Sequence, residues 1–188
     1  MSGGAGGARR RMAAALLALL ACAGAPTAGQ DMQPALPASA PETVAPGTAA
    51  GESSVAIALG VVEVLDPEPR GMISFEYRYA AGRYRPSPWL AAEATGNDRF
   101  FGFGPFLDLP LGRRLVLTPS LGTMIYLEHD GMGLGWHLEY RASLELTWQV
   151  GSTRLGAAFA HYSNSGIGDT NPGTEVLRVV WVVPIGKR

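Results

Sequence analysis

From Ser54 onward, apolar and polar residues alternate in runs that turn-forming residues separate. His137–Val150 is the clearest run. A period of two places alternate side chains on opposite faces of a β-strand, so this run predicts a strand with one polar and one apolar face. The polar face carries His137, Glu139, Arg141, Ser143, Glu145, Thr147 and Gln149, and the apolar face carries Leu138, Tyr140, Ala142, Leu144, Leu146, Trp148 and Val150.

Eight such runs can be counted between Ser54 and Pro184. Their lengths are close to the roughly 9–11 residues that a tilted transmembrane strand needs. No segment after Ser54 is apolar enough along its length to predict a spanning helix. The runs are Ser54–Leu65, Met72–Ala80, Pro88–Thr95, Arg99–Asp108, Arg114–Tyr126, His137–Val150, Thr153–Ser163 and Thr174–Pro184.

The polar faces favour a membrane barrel over a soluble sandwich. Glu139, Arg141 and Glu145 lie in the middle of a long strand, which suits a small barrel lumen where charged side chains pair with one another. The opposite face is continuously apolar and includes Trp148 near its end, as expected of a membrane interface. Because every backbone group must pair inside a bilayer, an even number of strands should close on itself. The sequence therefore predicts an all-β fold, an eight-stranded antiparallel outer-membrane β-barrel over residues 54–188.

The first residues read as an export signal. Arg9–Arg11 supply positive charge, Met12–Ala21 is a short apolar core, and small residues follow up to Gly29. We therefore expect a signal peptide at 1–29 and, from the Pro- and Ala-rich composition, a disordered linker at 30–53. Cys22, the only cysteine, either is discarded with the signal peptide or marks a lipoprotein processing site.

Overall charge excludes some partners. The formal net charge is −1 and only 16% of residues are charged, so no general basic surface predicts nucleic-acid binding. The oligomeric state stays open, with a homodimer among the options.

Candidate chemistry gathers in the segment His161–Glu175. His161 and Ser163 are two residues apart and so share a strand face. Turn-forming residues fill Asn164–Gly173, and Glu175 opens the returning strand. A hydroxyl, an imidazole and a carboxylate at one end of a hairpin are the three parts of an activated serine nucleophile. The alternative is an incidental His–Ser pair beside an ordinary turn.

This segment resembles the end of the PagL-type lipid A 3-O-deacylases, a family of outer-membrane esterases. The resemblance implies an ester hydrolase whose substrate is lipid A of lipopolysaccharide, with Ser163 as nucleophile, His161 as base and Glu175 as its partner. It further implies that Asn164 and the backbone near Gly166 stabilise the oxyanion and that Asn171 orders the loop. The residues that carry the resemblance are His161, Ser163, Asn164, Gly166, Asn171 and Glu175.

Counting the strands predicts at which end of the barrel this site lies. If the chain starts in the periplasm, odd-numbered strands run outward, which places His161–Glu175 at the extracellular end. Leu155, Ala157 and Phe159 share the face of His161 and Ser163, so we expect them to contact an acyl chain lying along the barrel wall. Ordinary contact with membrane lipid is the alternative reading of that stripe.

No metal or organic cofactor is expected. His129 has Glu128 and Asp130 beside it, but a metal site would need further ligands at suitable spacing. We therefore predict an esterase of the Gram-negative outer membrane that acts on lipid A. The alternatives are a non-enzymatic structural or adhesive barrel and another lipid esterase or acyltransferase on the same scaffold.

Overall fold

The computed structural model describes residues 52–80, 84–96, 98–129 and 132–185. The predicted signal peptide, nearly all of the predicted linker, Cys22 and Asp130 lie outside these residues. Within the described part of the chain, no helix is long and apolar enough to cross a membrane.

Nine β-segments form one closed antiparallel sheet. Except for β4 and β5, which do not pair with each other, each segment pairs with its neighbours in sequence, and β1 pairs with β9 to close the barrel. β4 and β5 are two parts of one barrel strand, since both pair with β6, so the prediction of eight strands is confirmed. The segments are β1 Ser54–Val62, β2 Arg70–Arg78, β3 Ser87–Thr95, β4 Asp98–Phe106, β5 Leu109–Leu111, β6 Leu115–Leu127, β7 Leu138–Val150, β8 Thr153–Ser163 and β9 Thr174–Pro184.

Two strands differ from the predicted runs by more than a shift of one or two residues at an end. The first was expected to reach Leu65 but ends at Val62, because Glu63 adopts a positive φ of 58° and turns the chain. The fourth is interrupted between Phe106 and Leu109. At this break the Asp108 carboxylate accepts a hydrogen bond from Thr118 Oγ1 at 2.7 Å and pairs with Arg154 Nη1 at 2.9 Å.

Trp89 closes a gap in the ladder between β4 and β6. Pro105 has no N–H to donate there, and residues 104 and 105 of β4 have no partner in the register. The indole Nε1–H of Trp89 instead approaches Pro105 O at 3.1 Å and Leu121 O at 3.2 Å. These two carbonyl groups thereby have a hydrogen-bond donor in a bilayer, where water cannot supply one.

The two faces of the sheet meet different surroundings. The outer face is apolar, with Leu59, Phe103 and Val179 each more than half exposed at 63%, 64% and 61%. The inner face carries a buried ion-pair network of three arginines and three glutamates: Arg78, Arg141, Arg178, Glu76, Glu93 and Glu145. Arg78 Nη2 lies 2.6 Å from Glu145 Oε2, and Arg78 Nε lies 2.7 Å from Glu76 Oε1. Glu93 Oε1 lies 2.9 Å from Arg141 Nη1 and 2.8 Å from Arg178 Nη1.

The two ends of the barrel also differ. We call the end that carries connections 63–69, 96–97, 128–137 and 164–173 the loop end, and the other end the turn end. Below the loops, the lumen is closed by a buried apolar cluster that includes Phe100, Met124, Tyr126, Leu134 and Tyr162. The candidate site lies at the loop end, on the outer face.

Candidate active site

Strand register brings His161 and Glu175 together. They are direct partners across the β8–β9 ladder, and Nδ1 of His161 lies 3.3 Å from Oε1 of Glu175. Alternation places both on the outer face, in line with exposed Leu155 of β8 and Leu177 of β9. The Glu175 side chain is 1% exposed and that of His161 is 14% exposed, so the pair is shielded from bulk solvent.

Ser163 lies on the same outer face as His161, but its hydroxyl does not bond the imidazole. A strand rise of about 3.4 Å per residue separates the two Cα atoms by about 7 Å. Among the described residues, no hydrogen bond joins Ser163 Oγ to the imidazole of His161. Catalytic hydrogen bonds are often long without substrate and tighten in the complex, so a rotation of side chains would have to complete the contact.

The chain turns sharply directly after Ser163. The N–H of Ile167 donates to Asn164 O at 3.1 Å, and the two central residues, Ser165 and Gly166, have φ values of 56° and 79°. Positive φ at both central positions is typical of a type I′ turn. A non-glycine residue held in this region, as Ser165 is, costs free energy and tends to occur at functional sites.

Asn164 organises the loop that follows. It is fully buried, and its side-chain amide donates to Leu134 O at 3.1 Å and to Thr170 O at 2.7 Å. Its Oδ1 accepts from the Gly166 N–H at 2.9 Å, and its own N–H donates to Asn171 Oδ1 at 3.1 Å. Asn164 thus bonds both Gly166 and Asn171 and supports the loop. To stabilise an oxyanion, as expected, the N–H groups of Asn164 and Gly166 would have to leave the oxygen atoms that they now bond and bond the oxyanion instead.

The connection between β6 and β7 packs against this loop from the side. Besides the bond to Leu134, a Cβ added to Gly135 would lie 2.3 Å from Thr170 O. One added to Gly168 would lie 2.8 Å from Gly135 O and 3.0 Å from Trp136 Cβ. The two connections therefore fit only with glycine at these points, and each limits the movement of the other.

Gly173 places the end of the loop over His161. It is buried with a φ of 64°, and an added Cβ would lie 3.0 Å from His161 Cε1 and 3.1 Å from Tyr162 O. On the other side of β9, the N–H of Val64 donates to Glu175 O at 3.3 Å. Sequence reasoning missed Gly173 and Val64, because the contact of Gly173 depends on the backbone conformation of the loop and that of Val64 on the closure of the barrel between β1 and β9. The Pro-Gly pair before the last strand was the one local signal.

An apolar stripe descends from the site along β8. Leu155 is 49% exposed, Ala157 is exposed and Phe159 is half-buried, all on the outer face. On the adjacent strands their register partners are apolar too, with Leu146 and Val179 beside Ala157. The stripe that the sequence predicted on the face of His161 is therefore part of a wider apolar wall.

The other two histidines make hydrogen-bond contacts in the connection between β6 and β7. The backbone N–H of His129 donates to Asp98 Oδ1 at 2.8 Å, and His137 Nδ1 lies 3.3 Å from Tyr126 O. In the described ranges, no group of three or more His, Cys, Asp or Glu side chains is arranged to hold a metal ion.

Together, the closed strand order, apolar outer wall and ion-paired lumen define an outer-membrane β-barrel. The model of the lipid A 3-O-deacylase (PagL) family matches residues 72–184, more than half of the chain, and the chain belongs to this family.

Two solved structures resemble the fold. The crystal structure of the outer membrane enzyme PagL matches with a TM-score of 0.55 at 14% identity, over 70% of this chain and 99% of that chain. A de novo designed transmembrane β-barrel matches with a TM-score of 0.52 at 11% identity, over 72% of this chain and 96% of that chain. Among curated proteins, none matches the sequence significantly.

Proposed function

We propose that this barrel hydrolyses the ester-linked 3-O-acyl chain of lipid A, with Ser163, His161 and Glu175 as a catalytic triad. Membership of the lipid A 3-O-deacylase family supports the substrate and the reaction class. The observation that carries the triad is the His161–Glu175 pair, held at 3.3 Å on the outer wall with Ser163 on the same face. The pair lies on the outer face of the sheet, where a membrane lipid would approach.

The geometry suits a two-step acyl transfer. With its Oε1 3.3 Å from His161 Nδ1, Glu175 is placed to accept the Nδ1–H, which would fix the tautomer whose Nε2 acts as base. Nε2 takes the proton of Ser163 Oγ as Oγ attacks the ester carbonyl, and a tetrahedral oxyanion forms. The imidazolium then protonates the departing sugar oxygen, leaving an acyl-serine. Water, deprotonated by His161, attacks that ester and releases a fatty acid and free Ser163.

The apolar wall beneath the triad offers the acyl chain a place to lie. Leu155, Ala157 and Phe159 follow Ser163 down the same face of β8, at levels that membrane lipid also contacts. A lipid held in the leaflet could bring its ester to Ser163 without leaving the membrane. A polar pair on a lipid-facing wall is least costly near the interface, and a site at the loop end agrees with such a position.

The same proposal includes the orientation of the barrel in the membrane. A cleaved signal peptide would deliver the barrel through the periplasm, and short turns such as 151–152 would remain there. The loop end would then face the cell exterior, at the level of the outer leaflet in which lipopolysaccharide resides. Asn164, Gly166 and Asn171 are proposed to hold the loop in the form that the reaction requires.

Mass spectrometry of lipid A tests the function directly. Purified barrel in lipid vesicles should remove one ester-linked acyl chain from the 3 position, with appearance of the free fatty acid. Ser163→Ala should lose this activity, while Ser152→Ala, in an exposed turn at the other end, should keep it. Unchanged lipid A with folded wild-type protein would favour a structural or adhesive barrel, and a different released product would favour another lipid esterase or acyltransferase.

A further inference from the structure

Tyr140 stands beside the proposed nucleophile on the neighbouring strand. It is the register partner of Ser163 in the β7–β8 ladder. Its neighbours Glu139 and Arg141 point inward, at 0% and 1% exposure, whereas Tyr140 is 38% exposed. Its phenol therefore lies on the outer wall, on the face where the ester must approach Ser163.

The donors expected from the loop are already in use. Both hydrogens of the Asn164 side-chain amide have carbonyl acceptors, and the Gly166 N–H is bonded to Asn164 Oδ1. The hydroxyl of Tyr140, in contrast, has no hydrogen-bond partner within the described part of the chain. A phenol can donate one hydrogen bond while its ring stays in an apolar surface.

We propose that Tyr140 is a substrate-binding residue of this site, whose O–H donates to the carbonyl oxygen of the ester that Ser163 attacks. Directly paired Cβ atoms lie about 4.5–5.5 Å apart across a ladder, within the reach of a tyrosine side chain. No proton is transferred: the bond strengthens as the carbonyl oxygen gains charge and weakens as the acyl-serine forms. The inference rests on the proposed function, because it requires an ester at Ser163.

A simpler role for Tyr140 makes a different prediction. Tyrosines are common at membrane interfaces, where the ring is apolar and the hydroxyl reaches water. Such an anchor affects insertion and substrate affinity, whereas an oxyanion donor affects the chemical step. Removal of only the hydroxyl separates the two roles, because the ring and its packing remain.

The test compares Tyr140→Phe with Tyr79→Phe in lipid vesicles that contain lipid A. Tyr79 is 44% exposed and lies at the turn end, far from Ser163 along the barrel, so it is a matched control. We expect Tyr140→Phe to lower kcat by about 100-fold, as expected on loss of one oxyanion donor. Its KM should change by less than about twofold, and Tyr79→Phe should leave both parameters unchanged.

Wild type and Ser163→Ala are measured in the same series. An inactive, folded wild type would overturn the proposed function. An active wild type with unchanged kcat in Tyr140→Phe, or with a change in KM alone, would overturn only the role of Tyr140.

Discussion

The lumen and the outer wall at the loop end use charged side chains in opposite ways. In the lumen, Glu93 contacts Arg141, Arg178 and the hydroxyl of Tyr162, so each charge is shared among several partners. On the wall, His161 Nδ1 lies 3.3 Å from Glu175 Oε1, and Ser163 lies near them without a direct bond to the imidazole. Networks of the first kind fix a structure, whereas an imidazole that is oriented through one nitrogen can transfer protons through the other.

This contrast predicts that the two regions can be damaged independently. Substitutions on the wall should abolish activity and leave the barrel folded. Substitutions in the lumen should weaken the barrel in proportion to the charges that they leave without partners.

The largest effect should follow loss of the proposed base. His161→Ala should lower kcat by about 10⁴-fold or more, because Ser163 loses its proton acceptor. Glu175→Ala should lower kcat less, since water can replace part of an orienting carboxylate; in the triad of subtilisin, loss of the Asp likewise costs less than loss of the Ser or His. Steady-state rates on lipid A give both values. Equal losses in the two variants would contradict the division of roles.

A lumen substitution should act on stability instead. Arg141 is 1% exposed, pairs with Glu76 and Glu93, and lies over the Trp89 ring at 3.8 Å. Arg141→Met leaves buried carboxylates without this partner, so it should lower the free energy of unfolding by about 3–5 kcal/mol.

Urea unfolding in vesicles measures this loss. Within the described residues, exposed Arg99 bonds only carbonyls of its own turn, so Arg99→Met should change the free energy of unfolding by no more than about 0.5 kcal/mol. Similar values for the two variants would mean that the lumen network does not stabilise the barrel.

Gly173 tests how closely the loop positions the imidazole. Gly173→Ala should lower kcat by roughly 10- to 100-fold, because its methyl group would displace the His161 ring. Gly151→Ala is the matched control: its φ of 60° imposes a similar backbone cost, but an added Cβ has nothing within 4 Å. If both alanines lower activity alike, backbone strain rather than contact with His161 is responsible.

The smallest effect concerns Glu139, an exception within the lumen. It is fully buried, and in the described structure neither carboxylate oxygen has a hydrogen-bond partner. Because an isolated buried polar group is costly, Glu139→Met should raise the free energy of unfolding by about 1–3 kcal/mol. Glu145→Met should lower it instead, because it would leave Arg78 without the carboxylate 2.6 Å away. Destabilisation by Glu139→Met would indicate that this carboxyl has a favourable role in the fold.

The strands could be predicted because alternation is a local property that both lipid and lumen enforce. The proximity of His161 and Glu175 could also be predicted from local signals, since a hairpin brings its two ends together. The break at Leu107 and Asp108 could not be predicted, because it depends on Thr118 and Arg154 from other strands. The position of Tyr140 beside Ser163 depends on the register of β7 against β8, which no pattern within one strand specifies.

Covalent labelling of the nucleophile tests the central claim most directly. A lipid-soluble fluorophosphonate is added to the folded barrel in vesicles, and the modified residue is located by peptide mass spectrometry. We predict a single adduct on Ser163, loss of lipid A deacylation in proportion to labelling, and no adduct in His161→Ala. Complete deacylation by protein that carries the adduct on Ser163, or inactivation by an adduct on another residue, would contradict the triad.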